Sequence, residues 1–246
     1  MSQNQKLYEG KAKILYSTED PEILLTVYKD DATAFNAQKK GQISGKGAIN
    51  RTISEALFKW LESKEIKTHY IDSPDSDRMR VKAVTIIPVE VVVRNIAAGS
   101  LCRQTGLPEG KILPQPLVEY YLKNDELGDP LLTKDRLFLL ELVSPERLEA
   151  IETTALKINR YLQEFFNDCA ITLVDFKLEF GIDSQGELLL ADEISPDTCR
   201  LWDNNVADER AKIMDKDRFR KDLGQVESAY QQVRDRVLAR ATKILD

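Results

Sequence analysis

The chain of 246 residues holds one histidine, three cysteines and no long apolar run, and each shortage removes a class of function. His69 alone supports neither a histidine-based metal site nor Ser-His catalysis. Cys102, Cys169 and Cys199 are widely spaced and odd in number. They fit neither a disulfide framework nor a zinc site, and reduced thiols in a cytoplasmic protein are the expectation. The longest apolar stretches, such as 89–93, fall far short of the ~20 residues that span a bilayer, so no membrane role is expected. Met1 to Gln5 are polar and lack the apolar centre of a signal peptide. Positive charge is also in deficit, with 35 Lys and Arg against 41 Asp and Glu and a net charge of -6, which argues against a nucleic-acid partner. Chemistry must therefore rest on Asp, Glu, Lys and Arg. A local basic pocket for a phosphorylated small molecule remains compatible with the negative total.

A 42% hydrophobic and 31% charged composition suits a globular protein of one large or two modest domains. The first third reads as strands at 7–16, 23–28, 67–72 and 79–87, rich in Ile, Val, Thr and Tyr. Ile49, Ile53, Leu57, Trp60 and Leu61 recur at helical spacing and predict a helix over about 46–64. Pro88 interrupts two apolar runs, with a new strand over 89–96, and marks a soft domain boundary. The stretch 106–131, with Pro108, Pro114, Pro116 and Pro130, reads as loop. Ser144-Pro145 starts a helix whose stripe is Leu148, Ile151, Ala155, Ile158, Leu162 and Phe165. Strands follow at 171–182 and 187–194, then a helix over about 217–245 in which Gly224 marks a break. The fold class is α+β.

The segment 171–194 is the most informative. Successive strand residues face opposite ways, so Val174, Phe176, Leu178 and Phe180 share one face and Asp175, Lys177 and Glu179 the other. A solvent-exposed strand gives the same alternation. A four-residue turn over 183–186 sets Ile182 opposite Glu187 and Lys177 opposite Asp192, which gathers the carboxylates on one surface. Like charges ~4 Å apart repel by roughly 4 kcal/mol at an effective dielectric of about 20. Lys177 offsets part of that, and a hard divalent cation such as magnesium would offset more. A turn one residue longer would send Asp192 to the other face.

Other cations are weaker signals. Gly10-Lys11-Ala12-Lys13 is not a P-loop, although its glycine would let backbone approach a phosphate; a solvated strand is the plainer reading. Lys82, inside an apolar strand, either reaches solvent or meets an anion in a cleft. Arg94, near Gly99-Ser100, and Arg200, after the turn-prone 195–199, fit phosphate or carboxylate oxygens bidentately. The charge run 215–220 reads as a solvated helix start, and His69 as structural or surface.

Ordered motifs along nearly the whole chain carry a resemblance. They are LYEGKAK at 7–13, VVVRN at 91–95 with AGS at 98–100, LVDFKLEFG at 173–181, DEISPD at 192–197, RLWD at 200–203 and DKDRFR at 215–220. Together they resemble the phosphoribosylaminoimidazole-succinocarboxamide synthase (SAICAR synthetase) family. The resemblance implies a ligase of purine biosynthesis that joins L-aspartate to 5-amino-4-carboxyimidazole ribonucleotide (CAIR) with ATP, giving SAICAR, ADP and phosphate. It implies a two-part α+β fold, with a β-rich nucleotide-binding domain over 1–87 and an α+β domain over 88–246, and a homodimer. In family terms Lys11, Lys13, Lys82 and Lys123 serve ATP, and Glu179 and Asp192 hold Mg2+. Arg94, Ser100 and Arg200 hold the ribonucleotide, and Asp175 and Lys177 lie beside the reacting centre. Ile96 and Asn36 depart from arginine and aspartate found in other members.

Overall fold

Alternating apolar residues build the first sheet of the computed structural model, which describes residues 5–34 and 38–245; Asn36 lies outside them. Strands β1 (Lys6–Glu9), β2 (Lys13–Ser17) and β3 (Ile23–Tyr28) lead into a ribbon of β4 (Asp31–Ala34) and β5 (Lys39–Gln42). Helix α1 (Lys46–Glu62) follows, then β6 (Tyr70–Asp75) and β7 (Arg78–Lys82), which close the sheet in the order β1-β2-β3-β7-β6. Ile53, Leu57 and Leu61 on α1 are fully buried, as the helical spacing predicts, and Phe58 is buried beside them. The Asp30 carboxylate accepts the Gly45 and Gly47 N–H groups at 3.0 and 2.9 Å, satisfying donors that the first turn leaves free. At Gly47 the helix passes so close to the Tyr28 carbonyl that a Cβ would lie 2.7 Å from its oxygen, so only glycine fits.

The remaining strands and α-helices are β8 (Thr85–Ile96), α2 (Ser100–Thr105), β9 (Ile112–Leu122), β10 (Leu131–Leu132), α3 (Lys134–Leu139), α4 (Pro145–Asp168), β11 (Ile171–Ile182), β12 (Leu188–Ala191), β13 (Cys199–Asp203), α5 (Asp217–Arg220) and α6 (Val226–Leu245). They form a second antiparallel sheet, β10-β9-β8-β11-β12, with β13 also pairing β11. The predicted stripe of α4 is buried throughout, and the Ser144 hydroxyl accepts the Arg147 N–H at 3.2 Å as its N-cap. Tyr230, Val233 and Val237 of α6 are fully buried. One apolar cluster runs through both sheets, with α1 as the joint: the Trp60 ring lies 5.8 Å from Phe165 on α4.

Three expectations need correction. The stretch 106–131 is not a loop, because β9 and β10 occupy much of it. Its prolines misled: Pro114 and Pro116 sit where the β8–β9 register slips, between Arg94↔Leu117 and Ile96↔Ile112, so their missing N–H groups cost no ladder bond. Pro88 does not separate strands either. It lies inside β8, at the slip between Glu179↔Glu90 and Gly181↔Ile86, and the break falls at 83–84. The strand expected over 7–16 is two strands around residues 10–12, where the Gly10 N–H donates to the Lys13 carbonyl at 2.8 Å.

Candidate active site

Strand β11 organises the site because it is paired on both sides and carries a charged face. The β11–β12 register sets Ile182 opposite Leu188 and Glu179 opposite Ala191, one residue away from the expected pairing. The turn is longer because Gly186 is left-handed at φ 81° and donates its N–H to the Asp183 carbonyl at 3.1 Å, a tight turn closed by a glycine bulge. The Asp183 carboxylate then accepts the Gln185 and Glu187 N–H groups at 3.0 and 2.8 Å. Strict alternation would now send Asp192 into the apolar face. Pairing stops at Ala191, however, and Asp192 takes φ 62°, a left-handed conformation that aspartate tolerates better than most residues. That turn returns its side chain to the charged face.

There Lys177 lies among three carboxylates. Its Nζ contacts Glu90 at 3.2 Å, Asp192 at 3.1 Å and Glu179. Lys13, from β2 of the first sheet, pairs with Asp192 and reaches Glu193 at 3.3 Å. Lys123 pairs with Glu179, and Lys11 bonds to Asp125 at 2.6 Å at the exposed rim. Burial draws the Lys13 and Lys177 ammonium groups down, but the surrounding carboxylates outweigh it and hold both above the usual lysine value. Burial likewise opposes charge on Asp192, and Lys13 and Lys177 reverse it, keeping this carboxyl far below the usual range. Glu90 moves the other way: burial raises it, and Lys177 does not fully compensate.

The other end of the same strand face is built from guanidinium groups. Asp175 lies four residues from Glu179, roughly 13 Å along an extended chain. Arg94 donates to Asp175 at 2.6 Å, Glu119 at 2.6 Å, the Ser100 hydroxyl at 2.8 Å and the Tyr121 hydroxyl at 3.2 Å. Arg200 donates to both Asp175 oxygens, at 3.1 and 2.8 Å, and to Asp217 at 3.0 Å; Arg220 reaches Asp217 at 2.7 Å. Gly99, at φ 57°, lies under the Arg200 guanidinium, where any Cβ would collide with it. Burial works against Arg94 and Arg200, yet their carboxylate partners hold both above the usual arginine value. Burial also resists charge on Asp217, but Arg200 and Arg220 bring it down to about 2. Asp215, fully buried beside Asp217, is pushed up to about 7 by burial and that like charge.

Lys11 stays at the exposed rim on Asp125, and nine of the eleven expected site residues join one polar seam: Lys13, Arg94, Ser100, Lys123, Asp175, Lys177, Glu179, Asp192 and Arg200. Lys82 does not. It is exposed on β7 and has no ion pair among the described residues. The run 215–220 is a correction, because Asp215, Asp217 and Arg218 are buried, with Arg218 donating to the Ile213 and Gly224 carbonyls at 2.9 and 2.8 Å. His69 is buried too, and desolvation pulls its imidazole down to about 3. Missed altogether was Lys46, fully buried with its Nζ 2.7 Å from Asp197, whose other oxygen accepts the Tyr230 hydroxyl at 2.8 Å. A lysine one turn before an apolar stripe gives no local sign of such a partner.

Among the described residues no three His, Cys, Asp or Glu side chains form a ready metal cage. Glu179 and Asp192 nevertheless converge on one ammonium, and magnesium commonly takes one or two carboxylates and completes its shell with phosphate oxygens and water. The pair fits that demand. No described helix is long and apolar enough to cross a membrane.

Comparison with known proteins shows the family and the fold. The family model for SAICAR synthetase matches residues 6–237. The chain is 67% identical to the phosphoribosylaminoimidazole-succinocarboxamide synthase of Synechocystis sp., over 98% of this chain and 91% of that one. It is 69% identical to the Nostoc punctiforme protein of the same name, over 97% of each. A crystal structure of the Ehrlichia chaffeensis synthase superposes with a TM-score of 0.92 at 44% identity, covering 96% of this chain and 99% of that one. A SAICAR synthetase solved in complex with ADP gives 0.89 at 46% identity, covering 94% and 96%. By sequence along nearly its whole length and by fold, the chain belongs to the SAICAR synthetase family.

Proposed function

We propose that this site ligates L-aspartate to the carboxylate of CAIR at the expense of ATP, forming SAICAR, ADP and phosphate. The observation that carries the reading is the seam on β11. At one end Lys177 gathers Glu90, Glu179 and Asp192, and at the other Arg94 and Arg200 grip Asp175. A triphosphate needs mobile cations and a divalent ion, which suits the first end. A phosphate monoester and an imidazole carboxylate need rigid bidentate donors, which suits the second.

A carboxylate is a poor acyl donor because oxide would have to leave. In this reading an oxygen of the CAIR carboxylate attacks the γ-phosphorus and ADP departs, leaving an acyl phosphate. The aspartate amine then attacks the acyl carbon, the carbon–oxygen bond to phosphate breaks, and the amine proton is lost to solvent. Lys13, Lys123 and Lys177 stabilise charge on the transferring phosphoryl group, with Lys11 at the nucleotide's outer rim. Arg94, Ser100 and Arg200 orient the ribonucleotide, and Asp175 fixes both guanidinium groups. Magnesium, held by Glu179 and Asp192, would neutralise phosphate charge when bound. Positioning and charge neutralisation suffice, so no protein nucleophile is needed. We extend the reading to two parts that meet at the 83–84 break and enclose ATP, and to a cytoplasmic homodimer; light scattering checks the dimer.

ADP release measured with CAIR, with and without aspartate, tests the reaction. Strong dependence on both is expected, whereas release without aspartate would indicate a kinase. Oxygen-18 in the CAIR carboxylate should appear in the released phosphate, and its absence would exclude the acyl phosphate.

A further inference from the structure

Asp192 and Glu193 are neighbours in sequence, and consecutive residues of a regular strand would point to opposite faces. Here both carboxylates meet the same ammonium. Lys13, arriving on β2 of the first sheet, pairs with Asp192 and lies 3.3 Å from a Glu193 oxygen. The chain has left β12 by then, and the left-handed backbone of Asp192, at φ 62°, breaks the alternation that would have separated them.

The two acids are held differently. The Asp192 side chain is 15% exposed, and its other oxygen lies 3.1 Å from Lys177. Glu193 is 3% exposed, and its other oxygen accepts the Ser195 hydroxyl at 2.6 Å. That hydroxyl in turn accepts the Asp197 N–H at 3.1 Å, and the Ser195 N–H donates to the Thr198 hydroxyl at 3.0 Å. Asp197 is tied to Lys46 of α1 at 2.7 Å and to the Tyr230 hydroxyl of α6 at 2.8 Å. The Ser54 hydroxyl of α1 donates to the Ile194 carbonyl at 3.1 Å. Glu193 therefore sits in a turn pinned to two helices, with one oxygen committed to Ser195 and the other to Lys13.

A buried ion pair rarely stabilises a fold more than apolar residues of the same volume would, so packing alone gives little reason for this acid. Lys13 gives a better one. Its charge rides on a flexible stem, and when Asp192 turns to a divalent ion its hold on the ammonium weakens while the ion repels it. Glu193 is the carboxylate that stays.

We infer that Glu193 is a positioning residue for Lys13: locked by Ser195, it keeps the Lys13 ammonium aimed at the nucleotide phosphates once Asp192 is engaged by magnesium. The inference rests on the nucleotide and metal reading of the site. It gives two adjacent acids separate tasks, one exchangeable and one fixed.

The test uses the whole chain. Glu193→Gln keeps the shape and an oxygen for the Ser195 hydroxyl but removes the charge beside Lys13, whereas Ser195→Ala keeps both charges and frees the carboxylate. Each is measured alone and in a Lys13→Met background, by ADP titration in magnesium and in EDTA, by KM for each substrate and by thermal melting. For Glu193→Gln, ADP affinity should fall about tenfold in magnesium and no more than about twofold in EDTA, where Asp192 still holds Lys13. KM for ATP should rise similarly, with KM for CAIR and aspartate within about twofold. Ser195→Ala should show the same pattern at smaller size, and it carries the test if Glu193→Gln does not fold. With Lys13→Met neither change should lower ADP affinity further, because the residue they act through is gone. No loss in magnesium, equal losses in magnesium and EDTA, or losses that add to that of Lys13→Met would overturn the inference while leaving the nucleotide reading intact. That reading falls, and the inference with it, if Lys13→Met alone leaves ADP affinity unchanged or if ADP binding by the native protein ignores magnesium.

Discussion

The two ends of the β11 charged face meet the same problem, buried charge, with different materials. At the Asp175 end two guanidinium groups lock onto carboxylates through several short, directed bonds, and Arg94 is 3% exposed. At the Glu179 and Asp192 end the compensating groups are lysines, point charges on flexible stems, and the Lys123 side chain is 39% exposed. Arginine forks fix a geometry before any ligand arrives, whereas lysines can transfer their bonds to an incoming phosphate. The contrast teaches how one strand can present a rigid ribonucleotide site beside an exchangeable nucleotide site.

Substitutions should break this contrast unequally. The largest effect is expected for Asp192→Asn, which removes the carboxylate shared by Lys13 and Lys177. Turnover should fall by about 10³-fold, the upper range for losing one electrostatic element of an active site, with weakened magnesium dependence and an intact circular dichroism spectrum. Near-native kinetics would remove Asp192 from the metal site. Next, Arg94→Ala should lower stability by about 3–5 kcal/mol in denaturant titrations, because it strands buried Glu119 and leaves Asp175 with one cation, and it should weaken CAIR binding. Lys123→Ala, at a partly exposed pair, should cost no more than about 1 kcal/mol while raising KM for ATP. Equal stability losses in the two variants would erase the distinction between rigid and exchangeable ends.

The smallest effect concerns pH. In the folded chain Asp215 keeps its proton up to about pH 7, whereas an unfolded aspartate loses it near ~4. Between those values the native state binds more protons, so stability falls as pH rises and the loss is complete above about 7. Melting temperatures of the native protein measured against Asp215→Asn should therefore decline by a few degrees from about pH 5 to pH 7.5. The depressed Asp192 and Asp217 lose their contribution only as pH drops below ~4, outside that window. A flat difference would show that Asp215 is ionised throughout.

Periodicity made much of this legible. The helix around Ile53 and Leu57, the stripe from Leu148 to Phe165 and the shared face of Asp175, Lys177 and Glu179 follow from spacing alone, because they are local consequences of chain geometry. What escaped depends on partners distant in sequence. Lys46 and Asp197 are 151 residues apart, and nothing near either announces the other. Asp215 and Asp217 looked solvated because charge runs usually are, yet they fold under Arg200 and the Leu201 N–H, which Asp215 accepts at 2.8 Å. The prolines of β9 were read as breaks because a register slip that accommodates them is a property of two strands together. The Asp192 turn was hidden for a further reason: two departures from regularity, a longer connection and a left-handed residue, cancel each other.

The most direct measurement is a crystal structure of the protein with Mn2+, ADP and CAIR, with the metal located by its anomalous signal. Expected are an anomalous peak at the Glu179 and Asp192 carboxylates, Lys123 moved from Glu179 onto a phosphate, and the Arg94 and Arg200 contacts with Asp175 unchanged. A nucleotide bound with its metal away from those carboxylates, and every lysine still on its original partner, would contradict the reading.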